Sequence, residues 1–321
     1  MRPDREVVRQ VALERRFSER TVERALCLLA LLQELARHPY LRSRLALKGG
    51  TALNLFYWDC PRLSVDIDLN YVGAVAAEEM QNERPDLLRA IEVVARSDGY
   101  RPQLGSDDYA NRTIRLWYDS VLGAQDHVQV DVNFLMRVCL FDPDRRAATL
   151  PIGALRVEFP VVVLEEVMAG KLVALLDRGA PRDLYDSYSF ALRGEPYDER
   201  RLRQAFVVFA SAGLPRPLWH YGPDRLLRVT DDQIERQIWP VLTEGDRPRV
   251  EHMRELVTPL VSRLLDLRGE EHTFANSILA GEVDPDPLCH GDKELAERIR
   301  SHPAVLWKLR NVREWLGRSR R

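Results

Sequence analysis

Residues 48–70 read KGGTALNLFYWDCPRLSVDIDLN. A lysine and two glycines precede an apolar stretch, and beyond Pro61 the residues alternate. Val65, Ile67 and Leu69 point one way, and Asp66, Asp68 and Asn70 point the other. A period of two marks a strand with one buried face. Two aspartates at i and i+2 on such a strand stand on the same side, where they repel each other unless a counter-ion is present. Burial of the pair adds several kcal/mol to that cost. The stretch therefore predicts a strand whose polar face has a chemical use.

The segment HVQVDVNFLMRV, residues 127–138, repeats the arrangement, with Asp131 and Asn133 on one face and Val130, Val132 and Phe134 on the other. If the two strands are neighbours, Asp66, Asp68 and Asp131 form a hard-cation site, with Mg2+ or Mn2+ as the expected occupant. Such a site suits phosphoryl or nucleotidyl transfer from a nucleoside triphosphate. Surface alternation is the bland reading of an isolated acidic pair, and the apolar setting of these three acids argues against it.

Outward from this stretch, residues 21–38 carry Leu28, Leu31, Leu32 and Leu35 at helical spacing. RLALKGG reads as a short strand ending at Gly49 and Gly50, and TALNLFYW as the helix or turn that follows it. A charged helix is expected near 78–97, then a loop over 97–111, a strand RTIRLWYDS, and a turn FDPDRR at 141–146. From about 163 onward the pattern is helical, over 163–178, 182–192, 197–212, 249–267, 271–279, 292–300 and 303–316. The glycine and proline rich segment 211–225 reads as a connector or surface loop. Trp219, Trp239, Trp307 and Trp315 are expected to stabilise the helical half. The division predicts an α+β chain, with a core domain over 1–160 and a helical domain over 161–321.

Composition narrows the class further. The chain has 321 residues, 45% apolar and 30% charged, and its formal charge of −2 excludes a uniformly basic surface but not a local basic patch. Four cysteines are scattered without a CxxC pair, and no HExxH or close His/Cys cluster occurs, so a zinc enzyme is not indicated. The N-terminus lacks the apolar core of a signal peptide and no run approaches the length of a membrane span, which predicts a soluble, cytoplasmic protein.

Gly49 and Gly50 permit close backbone approach, and with Thr51 they offer N–H groups and a hydroxyl to phosphates at a helix start. Lys48 is placed to reach the same phosphates, and Arg62 and Ser64 to contact phosphate or ribose. A plain turn and a loop cap are the competing readings. No GxxxxGK[ST] occurs, which argues against a P-loop NTPase. A second element, AGKLVALLDRGAPRDLYD at 169–186, puts Lys171 and Arg178 on one helix face, and Pro181 starts a helix carrying Asp183, Asp186 and Ser187 along one side. It reads either as a triphosphate-neutralising group or as an interhelix salt bridge, Lys171 with Asp183 or Arg178 with Asp186.

Together these motifs resemble the AbiEii-type nucleotidyltransferase toxins of the polymerase β-like nucleotidyltransferase superfamily. The resemblance covers about residues 44–190. It implies a mixed sheet with flanking helices followed by a mainly helical C-terminal domain. It also implies that Gly49, Gly50 and Thr51 form the phosphate-binding turn and that Asp66 and Asp68 bind metal. Asp131 would be the third acid where one is used, with Lys171 a catalytic or triphosphate-contacting residue and Asp183 an active-site acid. The expected function is metal-dependent transfer of a nucleoside monophosphate from NTP to RNA, at the 3′ acceptor end of tRNA, which blocks translation. The expected partner is a cognate AbiEi-like antitoxin with a DNA-binding domain, in a toxin–antitoxin or phage-defence operon. Nucleotidylation of a protein and a non-catalytic NTP-binding regulator are the alternatives. Arg101, Arg112, Arg145, Arg146 and the terminal GRSRR are candidate RNA contacts, and Tyr185 and Tyr188 either stack on a base or pack in the core.

Overall fold

The structure, a computed structural model, describes residues 3–150, 156–243 and 245–319. The chain forms two compact units. The first comprises Met1–Arg137, Pro143–Val162 and Glu235–Arg247, and the second comprises Val138–Asp142, Val163–Ile234 and Pro248–Arg321.

The first unit is built on one mixed sheet. In chain order its elements are α1 (Arg5–Arg15), α2 (Glu19–Arg37), β1 (Leu45–Lys48), α3 (Gly49–Ala52), β2 (Asp66–Tyr71), α4 (Ala77–Ser97), β3 (Arg101–Asp107), β4 (Asn111–Asp119), β5 (Gln125–Asn133), β6 (Asp144–Ala147) and β7 (Glu158–Val161). The strand order is β3-β4-β5-β2-β1-β7-β6. β2 lies at the centre, antiparallel to β1 and parallel to β5. One face carries Leu45, Leu47, Ile67, Leu69, Val128, Val130, Val132, Ile114 and Leu116, all buried. Against it packs α2, whose run from Ala25 to Leu32 is buried throughout. The alternation read from sequence therefore holds on both central strands, because a one-residue slip would turn every aspartate into this core.

The loop expected over 97–111 is instead largely strand, since residues 101–107 pair antiparallel with β4. β3 is an edge strand, exposed along most of its length, so it needs no apolar period and shows none. The turn read at 141–146 likewise ends inside β6, which pairs with β7 at the opposite edge.

Polar ties fasten α2 to the sheet. Asp126, buried on β5, accepts from Arg24 Nη2 at 2.6 Å and Arg20 Nε at 3.0 Å, and from the N–H of His127 at 2.8 Å. Glu23 accepts from Ser120 Oγ at 2.5 Å and from the Val121 N–H at 2.8 Å, which holds the β4–β5 turn.

The second unit is helical, with α5 (Leu164–Arg178), α6 (Pro181–Arg193), α7 (Glu199–Gly213), α8 (Asp231–Gln237), α9 (Val250–Leu265), α10 (Gly269–Leu279), α11 (Asp286–Cys289), α12 (Lys293–Ser301) and α13 (Pro303–Ser319). The last three residues of α8 fall in the first unit. Segment 211–225 is not a linker, since Leu218 and Tyr221 are buried within this unit. Arg203 and Glu271 form a buried bidentate pair at 2.7 and 2.6 Å. The tryptophans expected to stabilise the helical half are not among its fully buried residues. Trp219, Trp307 and Trp315 are 40%, 50% and 65% exposed, and Trp239 lies in a segment of the first unit. Helical spacing alone did not reveal that Val305 and Leu309 form the buried side of α13. Among the described residues, no helix is long and apolar enough to cross a membrane.

Burial pushes the Asp126 carboxyl up, but the His127 N–H, Arg20 and Arg24 outweigh it and hold it below the usual carboxylate range. A depressed value in the folded state means that Asp126 adds stability above the ordinary aspartate range, and the gain is lost as pH falls through the lowered value. Asp126→Asn is expected to destabilise the protein by about 3 kcal/mol near neutral pH. Urea titration of both proteins from pH 7 down to pH 3 should show the gap closing at the acid end.

Candidate active site

The pairing of four strands lays out a polar row on the face opposite the α2 core. Lys48 on β1 is opposite Asp68 on β2, Asp68 is level with Asp131 on β5, and Asp131 is opposite Thr113 on β4. Directly paired residues share a face, so these four side chains stand side by side. The adjoining row sets Asp66 level with Gln129, and the next sets Asn70 level with Asn133.

Both oxygens of Asp131 are engaged. Thr113 Oγ1 donates to Oδ1 and Gln129 Nε2 donates to Oδ2 at 2.7 Å. Among the described residues no group of three or more His, Cys, Asp or Glu stands close enough to hold a metal ion. Of the three acids expected from sequence to hold a metal, Asp131 is held by Thr113 and Gln129, level with Asp68 on the neighbouring strand. Asp66 and Asp68 remain as a pair on one face. Magnesium is commonly held by one or two carboxylates, with phosphate oxygens and water completing its shell, and the pair fits that requirement. Thr113 and Gln129 were missed. Gln129 was within reach of the alternation around Asp131, whereas Thr113 depends on inter-strand register.

The glycine turn folds onto this row. Gly49 has φ +71°, in the left-handed region, and a Cβ there would fall 2.2 Å from Asp68 Oδ2. A Cβ at Gly50 would fall 2.4 Å from Arg62 Nη2 and 3.3 Å from Ser64 Oγ. Gly49 is required by its backbone conformation and by Asp68 against it, whereas a side chain at Gly50 would have to displace the Arg62 guanidinium. Arg62 and Ser64 are buried, and so is Thr51, whose hydroxyl donates to the backbone carbonyl of Asp66. The Thr51 hydroxyl therefore ties turn to strand, leaving backbone N–H groups to meet an anion. Asn54 continues the brace with Nδ2 donating to the Gly50 carbonyl at 2.8 Å. Lys48, Gly49, Gly50, Thr51, Arg62, Ser64, Asp66 and Asp68 are thus gathered in one place.

In the second unit, Lys171 Nζ lies 2.9 Å from Asp183 Oδ1 and 3.0 Å from Asp186 Oδ2. Arg178 adds Nε and Nη2 to Asp183 Oδ2 at 3.0 and 2.8 Å. Both carboxylates are fully buried. The interhelix salt bridge of the alternative reading is therefore present, with Asp183 rather than Asp186 as the partner of Arg178. Tyr185 and Tyr188 are buried, with ring centroids 6.0 Å apart, which makes them core residues.

The candidate RNA-binding arginines are engaged elsewhere. Arg101 pairs with Asp119, Arg112 with Asp107 and Arg145 with Glu158. Arg146 lies over the Tyr57 ring at 4.1 Å. The side chains of the last four residues fall outside the described ones.

A central mixed sheet bearing an Asp-x-Asp strand, with a Gly-Gly turn packed against it, defines the polymerase β-like nucleotidyltransferase class. Over residues 30–266 the chain matches the family model described as nucleotidyl transferase AbiEii toxin, type IV toxin–antitoxin system, and it belongs to that family. It is an NTP-dependent nucleotidyltransferase of the toxin type. Among solved structures it is similar in fold to MenT4, a nucleotidyltransferase toxin from Mycobacterium tuberculosis H37Rv, with a TM-score of 0.64 and 21% identity. That match covers 94% of this chain and 98% of the other. A protein of H. pylori described as a candidate nucleotidyltransferase aligns at a TM-score of 0.50 and 17% identity, covering 78% of this chain and 98% of that one. No curated protein matches the chain.

Gly49→Ala is expected to lower nucleotidyl transfer by about a hundredfold or more, since the new methyl group displaces the Asp68 carboxylate and burdens a left-handed residue. Transfer rate together with the thermal midpoint separates this local damage from unfolding. Lys171→Ala leaves two buried carboxylates without their ammonium partner and should cost about 3–5 kcal/mol of stability, measured by urea unfolding.

Proposed function

We propose that this enzyme transfers a nucleoside monophosphate from an NTP to the 3′ acceptor end of a tRNA, and so blocks translation in the cytoplasm. The observation that supports this reading is the glycine turn packed onto the row Lys48, Asp68, Asp131. In this reading the backbone N–H groups at Gly50 and Thr51 orient the triphosphate, and Arg62 and Lys48 offset its charge. Asp66 and Asp68 would hold a magnesium or manganese ion, which when bound would neutralise phosphate charge and make the phosphorus more electrophilic. Asp131, oriented by Thr113 and Gln129, accepts the proton of the attacking 3′-hydroxyl. Bond formation from that oxygen to the α-phosphorus expels pyrophosphate. Lys171 and Asp183 serve the same reaction in the family pattern, and their buried network sets their geometry. A cognate AbiEi-like antitoxin is the proposed partner.

Incubation with each α-labelled NTP, total tRNA and lysate protein tests the reading. Label is expected on tRNA, and Asp66→Asn and Asp68→Asn should each lower its appearance by about a thousandfold or more. Label confined to protein would overturn the RNA acceptor, and a folded Asp66→Asn protein with unchanged transfer would overturn the site.

A further inference from the structure

Arg115 and Trp117 on β4 point the same way as Thr113, since the residues that alternate with them, Ile114, Leu116 and Tyr118, are buried on the other side. Thr113 donates to Asp131, so both side chains stand on the face that carries Asp66 and Asp68. Strand pairing extends the row of Asp66 through Gln129 and Arg115 to Gln103, and the next row holds His127, Trp117 and Arg101. Strands lie about 4.8 Å apart and rise about 3.4 Å per residue, so Arg115 is about 10 Å across the sheet from Asp66, and Trp117 about 7 Å further along β4.

Arg115 is exposed, and its cross-strand neighbours Gln129 and Gln103 are amides. Among the described residues it makes no hydrogen bond or ion pair, although Arg101 and Arg112 in the same sheet each find an aspartate. Its charge is open to an anion. Trp117 is held instead. Its Nε1 donates to Gln103 Oε1 at 2.8 Å, and its ring meets that of His127 with centroids 4.7 Å apart. A partly exposed indole fixed by two partners loses little entropy when a flat group stacks on it. An open guanidinium one row from an oriented indole is a combination that takes a phosphodiester and its base.

The direction of the transfer decides which nucleotide is meant. In the reading above the triphosphate meets the backbone at Gly50 and Thr51, beside β1, and Asp131 on β5 meets the attacking hydroxyl. Attacking and leaving oxygens stand roughly in line, on opposite sides of the α-phosphorus. The strand order runs β4-β5-β2-β1, so with pyrophosphate leaving toward β1 the hydroxyl arrives from the side of β5 and β4. Arg115 and Trp117 stand on that side.

We propose that Arg115 and Trp117 bind the 3′-terminal nucleotides of the RNA acceptor, the guanidinium taking a phosphate and the indole stacking on a base. The inference rests on the RNA-acceptor reading and deepens it by giving the acceptor its contacts on the sheet.

Steady-state labelling by the full chain, with α-labelled NTP and total tRNA varied in turn, tests the contact. Arg115→Ala and Trp117→Ala should each raise the KM for tRNA about tenfold and leave the KM for NTP within about twofold. Arg115→Ala should also lower the slope of log KM for tRNA against log salt by about 0.7, the share of one phosphate on a single strand, and Arg115→Lys should keep that slope. Trp117→Phe keeps a stacking ring and should keep most of the affinity. Circular dichroism and the thermal midpoint confirm folding, and Arg115→Ala removes an exposed side chain, so it reports even where Trp117→Ala destabilises. If the wild-type chain labels tRNA and both folded alanine variants keep its KM, this contact alone is overturned. A rise in the KM for NTP in place of tRNA also overturns it and assigns the strip to the nucleoside of the triphosphate. Wild-type label confined to protein overturns the acceptor reading and the contact with it.

Discussion

Lys48, Asp68 and Asp131 share one row because β1, β2 and β5 pair in a single register, and the first unit depends on that pairing. The central strand must keep two carboxylates on one face, and their mutual repulsion opposes folding. What enforces the register is the opposite face, where Ile67, Leu69, Val130 and Val132 are fully buried. A slip of one residue would exchange these apolar groups for aspartates, and burying unpaired charge costs more than the sheet gains. The hydrophobic face thus holds the chemical face in place.

The glycine turn follows from the same arrangement. Once Asp68 occupies the space beside the turn, no side chain fits at Gly49, and one at Gly50 would have to displace the Arg62 guanidinium. Close backbone approach brings the helix start to the carboxylate row, so backbone N–H groups and carboxylates come together in one packing event. Lys171 and Arg178 solve a related electrostatic problem in the helical unit, where two buried aspartates are tolerable only with their cations.

Much of the centre was legible from sequence because strong burial on one face writes a period of two. Asp66, Asp68 and Asp131 were read from that period, and the neighbouring of β2 and β5 was the condition attached to it. The edges were not legible. β3 is exposed on most positions, so its pairing leaves no apolar pattern, and Pro102 and Gly105 read as loop. Asp131 shows the other limit, since its carboxylate is held by Thr113, a residue 18 positions away that only strand pairing brings near. The partial exposure of the α13 tryptophans was not legible either, because large apolar residues usually mark a core, and which side of a terminal helix is covered depends on its neighbours.

By itself the sequence determined the elements whose signals are local, namely the alternating strands, the Gly-Gly turn, the Asp-x-Asp pair and the helical second half. Each follows from side-chain periodicity or from backbone freedom within a few residues. Tertiary structure decided the rest, including which strands are neighbours, that Asp131 is held by Thr113 and Gln129, and that Asp68 leaves no room for a side chain at Gly49. Those outcomes rest on contacts between residues far apart in the chain, and such contacts exist only after the sheet has closed its register.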